Sequence, residues 1–206
     1  MKFRSYVPAF FVLASFLLLL FINLSGVSNS LPRLWWSEVR NEQGLVRWFS
    51  YKICLVGPND ENYSCSDKAP ATPYSPVDKY IGYQIPVQFL ERRNFYYYGS
   101  RFSYAGFLLA VIFTGLALIF SILSMYKVYH IRNLILLLTV MGLISVISAA
   151  TVQTTVHVTG TKVFNQYNIP AKVGTTMLAL MWSSFVALVL AVLIIPRTTL
   201  GNVVSK

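Results

Sequence analysis

Two cysteines, two histidines and seven carboxylates are the side chains in this chain of 206 residues best suited to metal-binding or acid–base chemistry. Cys54 and Cys65 close the polar, turn-rich stretch CLVGPNDENYSC, while His130 and His157 lie far from it and from each other. Two cysteines, with His157 far away and His130 on the other side of an apolar span, do not supply the four ligands of a structural zinc site. All the acids, Glu38, Glu42, Asp60, Glu61, Asp67, Asp78 and Glu91, fall in one segment. No P-loop, dinucleotide fingerprint, HExxH run or nucleophile–base–orienter spacing is present, and catalysis needs a preorganised set of that kind. The expectation is a protein that is not an enzyme, with no cofactor, no metal and no small-molecule substrate.

The elements that hold these residues are set by long apolar runs. Four stretches, 7–26, 104–125, 133–156 and 174–195, contain no Asp, Glu, Lys or Arg. Each is long enough, at about 1.5 Å per helical residue, to cross a hydrocarbon layer of about 30 Å. Four transmembrane helices in one membrane domain spanning 1–206 are expected. The first follows Lys2 and Arg4 and precedes small residues at Ser25 to Ser30, the pattern of a signal peptide, but its apolar core exceeds the usual length and favours a retained anchor.

Orientation follows from short segments. Lys2 and Arg4, the 126–132 loop with Lys127 and Arg132, and the 196–206 tail with Arg197 and Lys206 share one side, with no acid beside them. By the positive-inside rule that side, with both termini, is cytoplasmic. The loops 27–103 and 157–173 then face outward. Nine basic residues accompany the acids in the first of these, so the net charge of +10 is spread over both faces. Nucleic-acid binding, which needs a clustered basic surface, is not expected.

An exterior 27–103 loop lies in an oxidising compartment, where Cys54 and Cys65 can form a disulfide across Gly57, Pro58, Asn59 and Asp60. Loop closure of this size is worth about 3 kcal/mol to a small module. The alternative is two unrelated free thiols. Asn62, Tyr63 and Ser64 form a glycosylation sequon inside the ring, while the triplet at Asn23 lies too near the bilayer to be modified readily. LVRWFSYKICLV is rich in aromatic and β-branched residues and reads as a strand. Prolines 70, 73 and 76 favour an extended wrap after it, and Trp35, Trp36 and Trp48 suit core or interfacial anchors.

Four spans, a large first loop with a Trp and a Cys pair, and a short second loop together resemble the claudin-like superfamily. RWFSYKICLVGPNDENYSCSDKAPATPYSPVDKY and NFYYYGSRFSYAGFLLA resemble, more closely, the fungal Sur/PalI family. The matching positions are Trp48, Cys54, Cys65, Ser66, Pro70, Pro73, Ser75, Pro76, Val77 and Asp78, then Tyr97, Tyr98, Ser100, Arg101 and Phe102. Trp48 stands farther from Cys54 than in the tight Trp-x-x-Cys of animal claudins, and the segment after Ile195 is short. The resemblance implies a plasma-membrane protein of eisosome-type furrows with roles in wall integrity, stress tolerance or endocytosis. A second implied role is an accessory subunit or trafficking partner, such as that of an ambient-pH sensor or a wall-synthesis enzyme. A channel is disfavoured, because no span carries a charge.

The helices add packing signals. Ala179, Ser183, Ala187 and Ala191 recur every four residues, Gly106 and Ala110 repeat the pattern, and Gly142, Ser145 and Ala149 extend it. Small ridges let helices approach closely, within the bundle, against another copy or against another integral membrane protein. SAATVQTTVHVTG is polar for a lipid-facing helix; Gln153, Thr154, Thr155 and His157 are expected to bond between helices. His157 at a membrane edge reads as a solvated histidine or a pH-sensitive group. His130 and Arg132 read as anchors at the cytoplasmic edge. Expected partners are membrane lipids, other membrane proteins or self-association. The expected whole is an all-α, claudin-like four-helix membrane bundle bearing a small disulfide-stapled, β-containing extracellular domain.

Overall fold

The computed structural model describes residues 3–27, 34–41, 44–57, 63–79, 85–124 and 131–203. Its elements run α1 (Phe3–Asn23), β1 (Ser37–Asn41), β2 (Gly44–Trp48), β3 (Ile53–Val56), β4 (Tyr63–Cys65), α2 (Pro76–Lys79), α3 (Val87–Glu91), α4 (Arg93–Ser124), α5 (Arg132–Gln166), β5 (Ala171–Val173) and α6 (Thr175–Val203). The helices α1, α4, α5 and α6 are each long and apolar enough to cross a membrane. The architecture is that of a four-span helical membrane protein with one small antiparallel sheet.

Three of these helices outrun the charge-free stretches. α4 starts at Arg93, α5 continues to Gln166, and α6 continues to Val203. A helix of 35 residues, like α5, is about 52 Å long against a hydrocarbon layer of about 30 Å. Charge marks where a helix leaves lipid, not where its hydrogen-bond ladder stops, so the loop expected over 157–173 is helical in its first half.

The chain forms two compact units. One takes its residues from Met1–Phe21, Gly106–Ser148 and Leu180–Lys206. Here Val12, Ala117 and Ala191 pack with Phe11, Leu118 and Leu138, so all four long helices meet. Small residues set the spacing: a side chain added at Gly142 would come within 3.1 Å of Thr114, and one at Gly115 within 3.1 Å of Phe16.

The other unit takes Ile22–Ala105 and Ala149–Ala179. Its sheet has the order β4-β3-β2-β1-β5, antiparallel throughout. Period-two alternation sends Val39, Val46, Trp48 and Ile53 to one face, where they pack with Tyr74, Phe89, Tyr96, Val156, Val163 and Phe164. Cys54 and Val56 point the other way, against Phe49, Trp35 and Leu45. On that second face Arg47 reaches across the β1–β2 pair to Glu38 at 2.6 Å.

The apolar run read above as one strand is two. β2 ends at Trp48, the Phe49 N–H donates to the Lys52 carbonyl at 3.0 Å, and β3 starts at Ile53. The proline-bearing segment holds this turn, with Ala69 N–H donating to Tyr51 O at 2.9 Å and Thr72 N–H to Ser50 O at 3.0 Å. Several glycines allow approaches too close for any side chain. A Cβ at Gly160 would sit 2.4 Å from the Tyr74 ring, and one at Gly174 would sit 1.8 Å from the Trp35 carbonyl oxygen.

Candidate functional site

The disulfide expected from spacing is present. Cys54 and Cys65 stand directly opposite each other on β3 and β4 and are joined across 11 positions of sequence. Cys54 is buried and Cys65 exposed, so the bond clips the outermost strand to the sheet. Ser66 extends the pairing by one residue, its N–H donating to the Ile53 carbonyl at 2.8 Å and its Oγ accepting the Ile53 N–H at 3.1 Å. Asn62 lies outside the described residues, as does His130.

Trp48 is a core residue, edge-on to Tyr74 with ring centroids 5.2 Å apart. Burial pushes the Tyr74 phenol above its ordinary pKa, with the neighbouring Tyr96 adding to the effect. Tyr74 is fixed through its backbone, whose N–H donates to Ser100 Oγ at 2.9 Å. Pro73 is buried just before it.

Ser75, Pro76 and Asp78 build the start of α2. Ser75 Oγ donates to Asp78 Oδ2 at 2.6 Å, and Pro76 occupies the first helical position, where a missing N–H costs nothing. Asp78 also accepts Arg93 through both Nε and Nη2, the shortest contact being 2.9 Å. Arg93 then lies over the Tyr97 ring at 5.4 Å, and Arg101 lies over the same ring at 4.7 Å. The motif residues Ser75, Asp78 and Arg101, 26 positions apart from first to last, are thereby joined in one surface ladder. Arg93, the rung between them, was not singled out from sequence; its signal was the spacing of four that links Arg93, Tyr97 and Arg101.

The polar end of α5 differs from expectation. His157 is only 2% exposed, so it is not a solvated histidine. It stacks on Trp36 with centroids 5.7 Å apart and tilts against Tyr74 at 4.4 Å. Its Nε2 lies 3.1 Å from Gln153 Nε2 and its Nδ1 lies 3.0 Å from Ser37 Oγ. With the amide donating to Nε2, Nδ1 carries the proton and donates to Ser37, the pattern of a neutral ring. Thr155 bonds back to the Thr151 carbonyl at 2.8 Å. These bonds run along α5 or to β1 and not between membrane helices, because the sheet covers this end of the helix.

The small-residue ridge of α6 divides. Ala187 and Ala191 are buried, whereas Ala179 and Ser183 are exposed. Within the helical unit Ser183, Trp182, Val186, Ala187 and Leu190 line an open groove of about 440 Å³ with Phe10, Phe11 and Ala14 of α1. Arg132 donates to the Ile195 carbonyl and so ties the start of α5 to α6. Among the described residues no group of three or more His, Cys, Asp or Glu side chains is placed to hold a metal ion.

The profile of the SUR7/PalI family matches residues 5–194, which reaches from within the first helix into the last. The chain belongs to the SUR7/PalI family. Protein SUR7 of Candida albicans is 31% identical over 207 residues, covering 96% of this chain and 74% of that protein. Protein SUR7 of Saccharomyces cerevisiae is 27% identical over 186 residues, covering 86% of this chain and 61% of its own length. Another protein of that yeast, named as an uncharacterized plasma membrane protein, is 28% identical over 199 residues, covering 91% and 65%. None of these SUR7/PalI relatives carries the name of an enzyme.

Proposed function

We propose that this SUR7/PalI chain is a non-enzymatic tetraspan of the plasma membrane that organises a lateral, eisosome-type membrane domain and supports wall integrity or stress response through contacts with proteins and lipids. The reading is supported most by how the motif residues are spent. Trp48, Ser66, Ser75 and Asp78 all hold the sheet unit in shape, through core packing, strand extension and the Asp78–Arg93 link. Residues devoted to shape suit a protein whose product is a surface. In this reading both termini are cytoplasmic, the sheet unit faces the wall, and Asn62 carries glycan.

The test is a fluorescent fusion in fungal cells combined with crosslinking of intact cells. The organiser reading expects immobile surface patches whose crosslinked neighbours include several membrane proteins and further copies of this chain. A uniformly mobile distribution with one stoichiometric partner replaces it with the accessory-subunit reading. Membrane-impermeant labelling that reaches a cysteine introduced at Lys68 supports the orientation; labelling only after permeabilisation overturns it.

A further inference from the structure

The ladder on α4 ends in a cation with no acid to answer it among the described residues. Arg93 spends its guanidinium on Asp78. Arg101 has no ion pair among the described residues, and its charge sits over the Tyr97 ring, 4.7 Å from the centroid. Its position along the helix is specific. Ala105, Leu108, Ile112, Leu116, Ile119 and Leu123 follow Arg101 at helical spacing, and all are exposed. In a membrane-crossing helix such a row faces lipid.

The row from Ala105 to Leu123 covers 18 helical steps, about 27 Å, close to the hydrocarbon thickness of about 30 Å. Arg101 lies one turn beyond its end, about 6 Å further along the axis, at the depth of the headgroups. Helical side chains lean toward the N-terminus, and Arg101 does so by reaching back to Tyr97. The charge is therefore carried away from the hydrocarbon. Tyr98, 63% exposed, and Phe102, 58% exposed, flank it with aromatic surface of the kind that settles at a bilayer interface.

We infer that Arg101, held over Tyr97 and flanked by Tyr98 and Phe102, is a binding site for the phosphate of a membrane phospholipid whose acyl chains run down the exposed face of α4. The Tyr97 ring holds the guanidinium in place without using its N–H donors, and those donors match a phosphate in a bidentate contact. The inference needs only that α4 crosses the bilayer, so it stands or falls separately from the organiser reading.

The test uses the full chain in detergent micelles titrated with dioleoylphosphatidic acid, with binding read as a thermal shift and by native mass spectrometry. Arg101→Gln is expected to weaken binding about fivefold, the effect of one basic group at a lipid surface. Arg101→Lys keeps the charge and loses the planar fork, and falls between the two. Arg92→Gln, which removes an exposed arginine off the row, leaves binding unchanged. Dioleoylglycerol, with the same chains and no phosphate, binds wild type and Arg101→Gln alike. Equal binding by Arg101→Gln and wild type, or equal weakening by Arg92→Gln, overturns the site. Displacement of the lipid by millimolar inorganic phosphate overturns its assignment to a lipid. Should Arg101→Gln melt differently from wild type in the absence of lipid, the comparison of Arg101→Lys with wild type decides, and identical affinities there overturn the inference.

Discussion

In the helical unit hydroxyls turn back on their own helices, whereas in the sheet unit polar groups tie together segments far apart in sequence. Thr114 donates to Ala110 O at 2.7 Å, Ser121 to Ala117 O at 2.6 Å, and Thr139 to Ile135 O at 2.7 Å. By contrast His157 meets Ser37, Tyr74 N–H meets Ser100, and Trp36 Nε1 donates to Ser50 Oγ at 3.1 Å, which itself donates to Ile22 O at 3.2 Å. The difference follows from the solvent. In lipid a hydroxyl is satisfied most cheaply by the adjacent carbonyl, and small residues let helices close on one another. The sheet unit is small and has limited core of its own, so long-range hydrogen bonds, a disulfide and buried aromatic rings do the fastening.

Glycine substitutions separate the two regimes most sharply. Gly174→Ala forces a Cβ into the Trp35 carbonyl, and is expected to cost the sheet unit about 4 kcal/mol or to prevent its folding, read by loss of near-ultraviolet tryptophan dichroism. Gly142→Ala meets only the Thr114 methyl at 3.1 Å and gains helix propensity, so it should shift stability by less than about 1 kcal/mol. Equal effects would erase the contrast.

Opening the disulfide is the next largest change. The paired substitution Cys54→Ser with Cys65→Ser should lower the stability of the sheet unit by about 3 kcal/mol. Protease resistance of the four long helices should be unaffected. Asp78→Asn weakens the Arg93 link and should give a modest drop in the tryptophan melting midpoint, smaller than that from opening the disulfide.

The smallest expected effect is one of pH. Burial, and then the charge of Lys68, hold the Lys52 ammonium below its ordinary pKa of 10.5. The unfolded chain then binds that proton more tightly than the folded one, so stability contributed by Lys52 rises as pH climbs through the interval just below 10.5. Lys68→Gln should flatten that rise by a few tenths of a kcal/mol, a surface-charge effect, when melting is followed from pH 8.5 to 10.5.

The spans and the cystine were legible in sequence, because lipid demands long uncharged runs and an isolated cysteine pair in a polar loop has few other uses. The break at Phe49 to Lys52 was not, since an apolar run carries no mark of where a hairpin folds back. The burial of His157 is hidden for a related reason: nothing in SAATVQTTVHVTG announces that β1 and Trp36 will close over it. Tyr74 and Gly160 form another such pair, 86 positions apart and meaningful only together. Arg101 is marked by the family pattern, while its contact with Tyr97 and its place above the exposed row depend on α4 beginning at Arg93.

Only Gly174 separates the edge strand β5 from the first turn of α6. Its N–H is bonded to the Trp36 carbonyl at 2.8 Å, so even this single joint is pinned. A pull on that rim of the sheet reaches the helix through one locked peptide, with no slack to absorb it. The junction behaves as a weld and not a tether.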